Sequence, residues 1–394
     1  MLMVMLFYLA VLLATGYVSL IVCYRFFWIG AKEIKTDFES DDETKLPFIS
    51  IIVPARNEEA NIGILLSSLQ NQTYPQSLFE IIVVDDFSED NTASIVKSFS
   101  GGNVHYVSLK DTIGNLALNS YKKKAIETGV SIAKGELIVT TDADCEAGNK
   151  WMQTIAHFYA KNKPDMIVMP VVMSKEKTFL QLFQQLDFMS LQGITGGVIS
   201  QGLYQMCNGA NLAYTKAVFN RVNGFKNIDN IASGDDMLLL QKVAKDKGHK
   251  IKYLKAQEVI IKTAPVENMD AFLQQRIRWA GKAGQYLDNR LFPVLFGVYA
   301  FNFILAFLFL LGCFNTVQYP LFWWSVSAWE LLVGLILSKV IVELYFLISV
   351  AGFFGKRKLL WVFPLMQPFH IVYTLVAGWL GKFGKYKWKN RTVN

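Results

Sequence analysis

"ELIVTTDADCEAGNKW", residues 136–151, runs a short apolar stretch straight into Asp142-Ala143-Asp144. Two carboxylates one residue apart at a strand's end repel each other unless positive charge sits beside or between them. The stretch has two readings. One is a solvated turn whose Asp caps the next helix. The other is a pair of oxygen ligands for a divalent cation that carries phosphates.

Outward from this point, residues 32–289 alternate between two patterns. Short apolar runs rich in β-branched residues predict strands at "FISIIVP" (48–54), "EIIVVDD" (80–86), "NVHYVSL" (103–109), "ELIVTTD" (136–142) and "DMIVMPVVM" (165–173). Helical patterns predict helices over 58–70, 90–99 and 118–134. Such alternation implies an α/β domain with a parallel sheet covered on both faces. Ligands bind such sheets beyond the carboxyl ends of the strands. Those ends are polar here: "PARNEE" after the first, "DDFSED" after the second, "DADC" after the fourth. One solvated turn explains any single loop, but not acids at the same end of successive strands. No G-x-G-x-x-G follows the first strand and no phosphate-binding P-loop pattern occurs, which excludes both familiar nucleotide fingerprints. A nucleotide held through carboxylates and Mg²⁺ or Mn²⁺ remains.

The flanks are different. The 394-residue chain is 52% hydrophobic and 14% aromatic, too apolar for an ordinary soluble domain. Met1 to Tyr24 holds no charged residue and predicts an uncleaved transmembrane helix over 1–24. Arg25, Lys32 and Lys35 follow it, placing the segment that follows in the cytoplasm. Residues 290–381 predict about three or four further segments, from Phe292–Thr316, Leu321–Phe354 and the proline-broken Leu359–Leu380. Five basic residues in the tail, 382–394, favour a cytoplasmic C-terminus and hence four crossings in this region; Lys356-Arg357-Lys358 would then face outward, against the same rule. The net charge of +7 belongs to these membrane flanks, where anionic headgroups attract it, and not to a nucleic-acid surface. Cys23, Cys145, Cys207 and Cys313 form no C-x-x-C pair, and the four histidines show no ligand spacing.

Two later motifs complete a series: "SGDD" (233–236) and "QQRIRW" (274–279). In order, "PARNEE", "VVDDFSED", "TTDADC", "SGDD" and "QQRIRW" resemble the inverting glycosyltransferases of family 2. The nearest subset is the membrane-anchored one containing cellulose and hyaluronan synthases and ceramide glucosyltransferase. The resemblance covers residues 47–285 and implies a Rossmann-like GT-A domain, helical transmembrane segments at both ends, and a place in the inner (cytoplasmic) membrane of the cell envelope. It also implies roles. Pro54, Ala55, Arg56, Asn57 and Glu58 would close over the nucleotide, Asp85 and Asp86 would supply the carboxylate that reads uracil, and Lys124 would lie beside them. Asp142 and Asp144 would hold Mg²⁺ or Mn²⁺, with Asp144 the more direct ligand. Asp236, preceded by Asp235, would be the catalytic base, and Gln275, Arg278 and Trp279 would complete the donor site.

The chemistry agrees with those assignments. Sugar transfer from a nucleoside diphosphate needs stabilised charge on the leaving group and a base for the acceptor hydroxyl. Gln275, Arg278 and Trp279 fall on one helical face, which suits a diphosphate and a sugar ring as well as a helix lying on a membrane. The acids at 85–86 and 235–236 would equally cap helices, and Lys124 would equally face solvent. Asn208 and Asn211 suit an acceptor loop or an ordinary turn. The expected activity is transfer of a sugar, from UDP or a similar carrier, to a membrane-associated lipid or glycan. The alternatives are a processive polysaccharide synthase, a membrane nucleotidyltransferase, or a non-catalytic nucleotide sensor.

Overall fold

All five apolar runs become strands in the computed structural model, but they divide between two sheets. The structure describes residues 2–35, 46–114, 118–231, 233–286, 288–314, 318–321, 324–383, 386–388 and 391–393. The chain forms two compact units. An α/β unit comprises Gly30–Glu176, Val198–Pro265 and Lys387–Asn394; a helical unit comprises Met1–Ile29, Lys177–Gly197 and Val266–Tyr386.

The strands of the two sheets in the α/β unit that concern the site are β1 (Ile49–Ala55), β2 (Phe79–Asp85), β3 (Val104–Ser108), β4 (Leu137–Thr140), β5 (Cys145–Glu146), β6 (Met166–Val168), β7 (Val171–Met173), β8 (Leu212–Thr215), β9 (Ile251–Tyr253) and β10 (Ile261–Thr263). A seven-stranded sheet has the order β3-β2-β1-β4-β8-β6-β9. Its pairings are parallel except where β8 lies antiparallel to β4 and β6. The run at 165–173 is two strands, because Pro170 has no N–H for a ladder. β6 stays in the main sheet, and β7 joins β10 and β5 in a second sheet of three.

Register lines up the polar loops. Ala55 pairs with Asp85 across β1 and β2, and Ile52 pairs with Thr140 across β1 and β4. The loops after β1, β2 and β4 therefore leave the same edge. β8 starts at Leu212 opposite Thr140, so the turn just before it reaches that edge from the other direction. The helix predicted from 58 begins only at Ile62, because Glu58 and Glu59 donate their N–H groups to Thr92 and Asp90 of the neighbouring loop at 2.7 and 3.1 Å. The helix predicted over 118–134 is Tyr121–Ile132.

The helical unit contains four helices long and apolar enough to cross a membrane: Val4–Gly30, Leu291–Phe314, Ala328–Phe353 and Arg357–Lys382. The first continues past the predicted end at residue 24, because Arg25 folds onto the Tyr345 ring, 3.8 Å from its centroid, and bonds the Tyr345 carbonyl at 2.9 Å. Among the described residues three such helices, not four, occupy the C-terminal region. Lys339 and Glu343 of Ala328–Phe353 are buried together and joined at 2.7 Å, as charges at membrane depth require. Of the basic tail, the side chains beyond Lys382 lie outside the described residues.

Candidate active site

The loops after β1 and β2 are stitched into one wall. Arg56, 8% exposed, donates from Nη1 to the carbonyls of Asp86 and Phe87, each at 2.9 Å. The Asn57 N–H donates to Ser88 Oγ at 3.0 Å, and the Glu89 N–H donates to Asn57 Oδ1 at 2.9 Å. Asn57 and Phe87 hold φ of 48° and 54° to do so, the left-handed region that residues with side chains enter at a cost. Asp85 accepts from the Tyr106 hydroxyl at 3.0 Å and the Ser88 N–H at 3.2 Å. Burial and the adjoining Asp85 carboxylate push the Tyr106 phenol up to about 12. Asp86 is buried beside it.

The second wall gathers acids around one ammonium group. Lys122 Nζ lies 2.7 Å from Asp142 Oδ1 and 3.2 Å from Asp235 Oδ2. Burial opposes the lysine's charge, but Asp142, Asp235 and Asp236 outweigh it and hold its pKa above the usual lysine range. Asp236 caps the Met237–Lys245 helix through the Met237 N–H at 2.7 Å, and its other oxygen accepts from the Gly209 N–H at 3.2 Å. A Cβ on Gly209 would sit 3.1 Å from Asp235 Oδ2 and 3.5 Å from Asp236 Cβ. A side chain at 209 would require the Asp235 carboxylate to give way by a few tenths of an ångström.

The structure thus brings Asp142, Asp235 and Asp236 together and fixes the loop at 54–58 against the loop at 85–90. The lysine at the acids is Lys122; Lys124 instead pairs with Glu127 at 3.5 Å on the outer side of the same helix. Asn211 is a packing anchor, fully buried, donating to the carbonyls of Pro170 and Val259 and accepting from Trp151. Gln275, Arg278 and Trp279 share a face of Met269–Gly281 in the helical unit. The charged side chain this helix buries is Arg276, which no motif in the sequence marks. It pairs with Asp187 at 2.8 Å and lies over the Trp279 and Phe272 rings at 4.3 and 4.9 Å.

The donor set suits a hard divalent cation. Asp142 and Asp144 offer carboxylate oxygens at the end of β4, and both are part-exposed. No group of three His, Cys, Asp or Glu side chains able to hold a metal occurs among the described residues. Two carboxylates are fewer than a full coordination shell, so an ion held here would need further oxygens, such as those of phosphates. An ammonium already seated on Asp142 shows that the position attracts positive charge.

The description "Glycosyl transferase family 2" matches residues 50–222, and "Glycosyl transferase family group 2" matches residues 137–380. The chain is a family 2 glycosyltransferase. It is similar to the probable glycosyltransferase YdaM of Bacillus subtilis, 28% identical over 62% of this chain and 56% of that one. It is also similar to glycosyltransferase AglE of Haloferax volcanii, 35% identical over 27% of this chain and 34% of that one. The matches thus span only a third to just over half of these relatives' lengths. A structure of the mannosyltransferase PcManGT from Pyrobaculum calidifontis, in complex with GDP-Man and Mn²⁺, superposes with a TM-score of 0.54. It is 16% identical and the match covers 96% of this chain and 99% of that one, which supports the GT-A fold of this glycosyltransferase.

Proposed function

We propose that this family 2 glycosyltransferase moves one sugar from a nucleoside diphosphate donor, UDP-linked or similar, to a membrane-associated lipid or glycan, with inversion at the anomeric carbon. The observation that supports it best is the single Lys122 ammonium touching both Asp142 and Asp235. It ties Asp142 at the end of β4 to the residue beside Asp236, which supports reading them as parts of one site.

In this reading one carboxylate of the Asp85–Asp86 pair takes the base of the nucleotide, with Asp85 held in place by Tyr106 and Ser88. The joined loops at 54–58 and 85–90 form a stiff wall for the nucleoside. Asp142 and Asp144 would hold Mg²⁺ or Mn²⁺, which when bound neutralises charge growing on the departing diphosphate. Asp236, fixed by two backbone N–H groups, accepts the proton of the acceptor hydroxyl. That oxygen bonds to the anomeric carbon as the bond to the diphosphate oxygen breaks, and the electron pair leaves with the diphosphate. Asp235 is neutralised by Lys122, which leaves Asp236 as the better base of the two. The four apolar helices favour an acceptor held in a membrane.

The test is transfer by the purified full chain with Mn²⁺, a panel of nucleoside diphosphate sugars and extracted membrane lipids. The expected product carries a single added sugar; a long polymer would favour a processive synthase. Asp236→Asn should lower transfer by ~10²- to 10⁴-fold while nucleoside diphosphate binding, read by calorimetry, survives. Unchanged turnover in that variant would remove Asp236 from the role of base.

A further inference from the structure

If all four apolar helices crossed a bilayer, Lys382 and the basic residues after it would emerge opposite Arg25, Lys32, Lys35 and Lys356 to Lys358. Basic segments of membrane proteins gather on one side, the cytoplasmic one. The conflict resolves in the packing of the last segment, Arg357–Lys382, the least apolar of the four.

Both ends of its second half stay at one level. Gln367 accepts from Lys339 Nζ at 2.6 Å and donates to Glu343 at 2.7 Å. Glu343 stands ten residues before the end of its helix at Phe353, about 15 Å along the axis. Gly378 abuts the Tyr299 ring, where a Cβ would meet it at 2.8 Å. Tyr299 stands eight residues past the start of Leu291–Phe314, about 12 Å from the same side. Between Gln367 and Gly378 the helix advances about 16 Å, yet its level changes by only about 3 Å. A crossing helix would change level by the whole advance.

Its neighbours agree. Phe369 and Tyr373 flank Phe272 of Met269–Gly281, with ring centroids 5.9 and 5.5 Å away. A Cβ on Gly381 would lie 2.8 Å from the Gly281 nitrogen. The two helices thus run side by side in the same direction. The Tyr373 hydroxyl, on this inward face, donates to Asp187 at 2.7 Å. The opposite face of Gln367–Phe383 is an exposed apolar stripe of Val372, Val376, Trp379 and Leu380, at α-helical spacings of three or four residues, and the 3₁₀ turns before it expose Trp361 and Leu365. Lys356 to Lys358 precede the stripe and Lys382 follows it.

We propose that Arg357–Lys382 is an in-plane helix of the cytoplasmic leaflet, its stripe seated in lipid, and not a fourth crossing. Basic flanks beside an apolar stripe suit a leaflet whose anionic headgroups lie just above its acyl chains. Three crossings then put every basic cluster on one side. The inference rests on the reading of the apolar helices as membrane-embedded.

The full chain in native membranes tests both. Single cysteines at Lys358→Cys, Thr392→Cys and Gln318→Cys, in a background with the four native cysteines changed to alanine, are probed with a membrane-impermeant thiol reagent before and after lysis. Lys358→Cys and Thr392→Cys are expected to label from the same side, and Gln318→Cys from the other. Positions 358 and 392 on opposite sides would overturn the in-plane helix while leaving the membrane reading intact. Release of the protein by alkaline carbonate would overturn the membrane reading, and the in-plane helix with it.

Discussion

Replacing Lys122 with methionine keeps most of the side chain's bulk and removes its charge, which isolates what that charge does. Without a bound cation its ammonium sits 2.7 Å from Asp142 and 3.2 Å from Asp235. A divalent ion that takes Asp142 Oδ1 must displace it. Doing so forfeits a charge-assisted hydrogen bond worth ~1.5–3 kcal/mol. The lysine is about three-quarters buried and Asp235 more so, at 25% and 12% exposed, so solvent screens the pair only partly. Since 1.4 kcal/mol is tenfold in affinity, Lys122→Met should bind Mn²⁺ alone about 10- to 100-fold more tightly than the parent chain.

The sign is the informative part, because losing a site residue ordinarily weakens binding. The assay is Mn²⁺ titration of the purified full chain by water-proton relaxation, with no donor present. Lys124→Met serves as the control and should leave the curve in place, as its partner is Glu127. Sugar transfer by Lys122→Met should fall in parallel, since Asp235 is left unneutralised beside the base. Weaker or unchanged Mn²⁺ binding in a folded Lys122→Met protein would show that Asp142 is not a ligand of the cation, and the reasoning would fail at that step.

Gly209→Ala should cut transfer by more than ~100-fold, about 2.7 kcal/mol of activation energy, because its Cβ would press on Asp235 at 3.1 Å. Thermal unfolding should move little, and wild-type transfer by the variant would remove the turn from the site. Arg276→Met strands the buried Asp187 carboxylate and should cost ~3–5 kcal/mol, whereas Arg276→Met with Asp187→Leu should recover much of it. Unfolding of the detergent-solubilised chain reads both, and a double variant no more stable than the single one would count against an uncompensated charge as the cause. Burial depresses Lys255 from 10.5 to about 8, against the pull of Glu33. Between those values the unfolded chain binds more protons than the folded one, so stability should rise with pH through that window. The rise should be absent in Lys255→Met when unfolding is compared at low and high pH within the window; an equal rise in the variant would assign it to another group.

The strands that carry the site were legible because they are fully apolar and end in acids. β2 is buried along its whole length and finishes at Asp85, so composition and punctuation agree. Legibility failed where a strand was short or borrowed. β8 is four residues, Leu212–Thr215, and its place between β4 and β6 depends on pairing across the chain. No local pattern announces an antiparallel insertion, yet that strand delivers Gly209 to the acids. The break at Pro170 was visible as a proline, but only the second sheet shows that β7 leaves the first. The number of crossings is less legible for a related reason. Hydropathy counts apolar residues without regard to direction, so a helix lying in the membrane plane with one apolar face would score like a span.

The run Lys122-Lys123-Lys124 shows how a single angle separates three roles. Consecutive residues turn about 100° around a helix, so three adjacent lysines point in three directions. Lys122 reaches Asp142 and Asp235. Lys123 turns inward and donates to the carbonyls of Ile228, Ile231 and Ser233 at 2.6, 2.6 and 3.0 Å, holding the segment that leads to Gly234 and the two acids. Lys124 turns outward to Glu127. The phase was partly available beforehand: Ile126 and Gly129 lie one and two turns after Lys122, and both are buried on the sheet side. Lys124 is one turn before Glu127 and shares its polar face. Charge alone made the three equivalent, and the apolar residues downstream mark which of them turns toward Asp142 and Asp235.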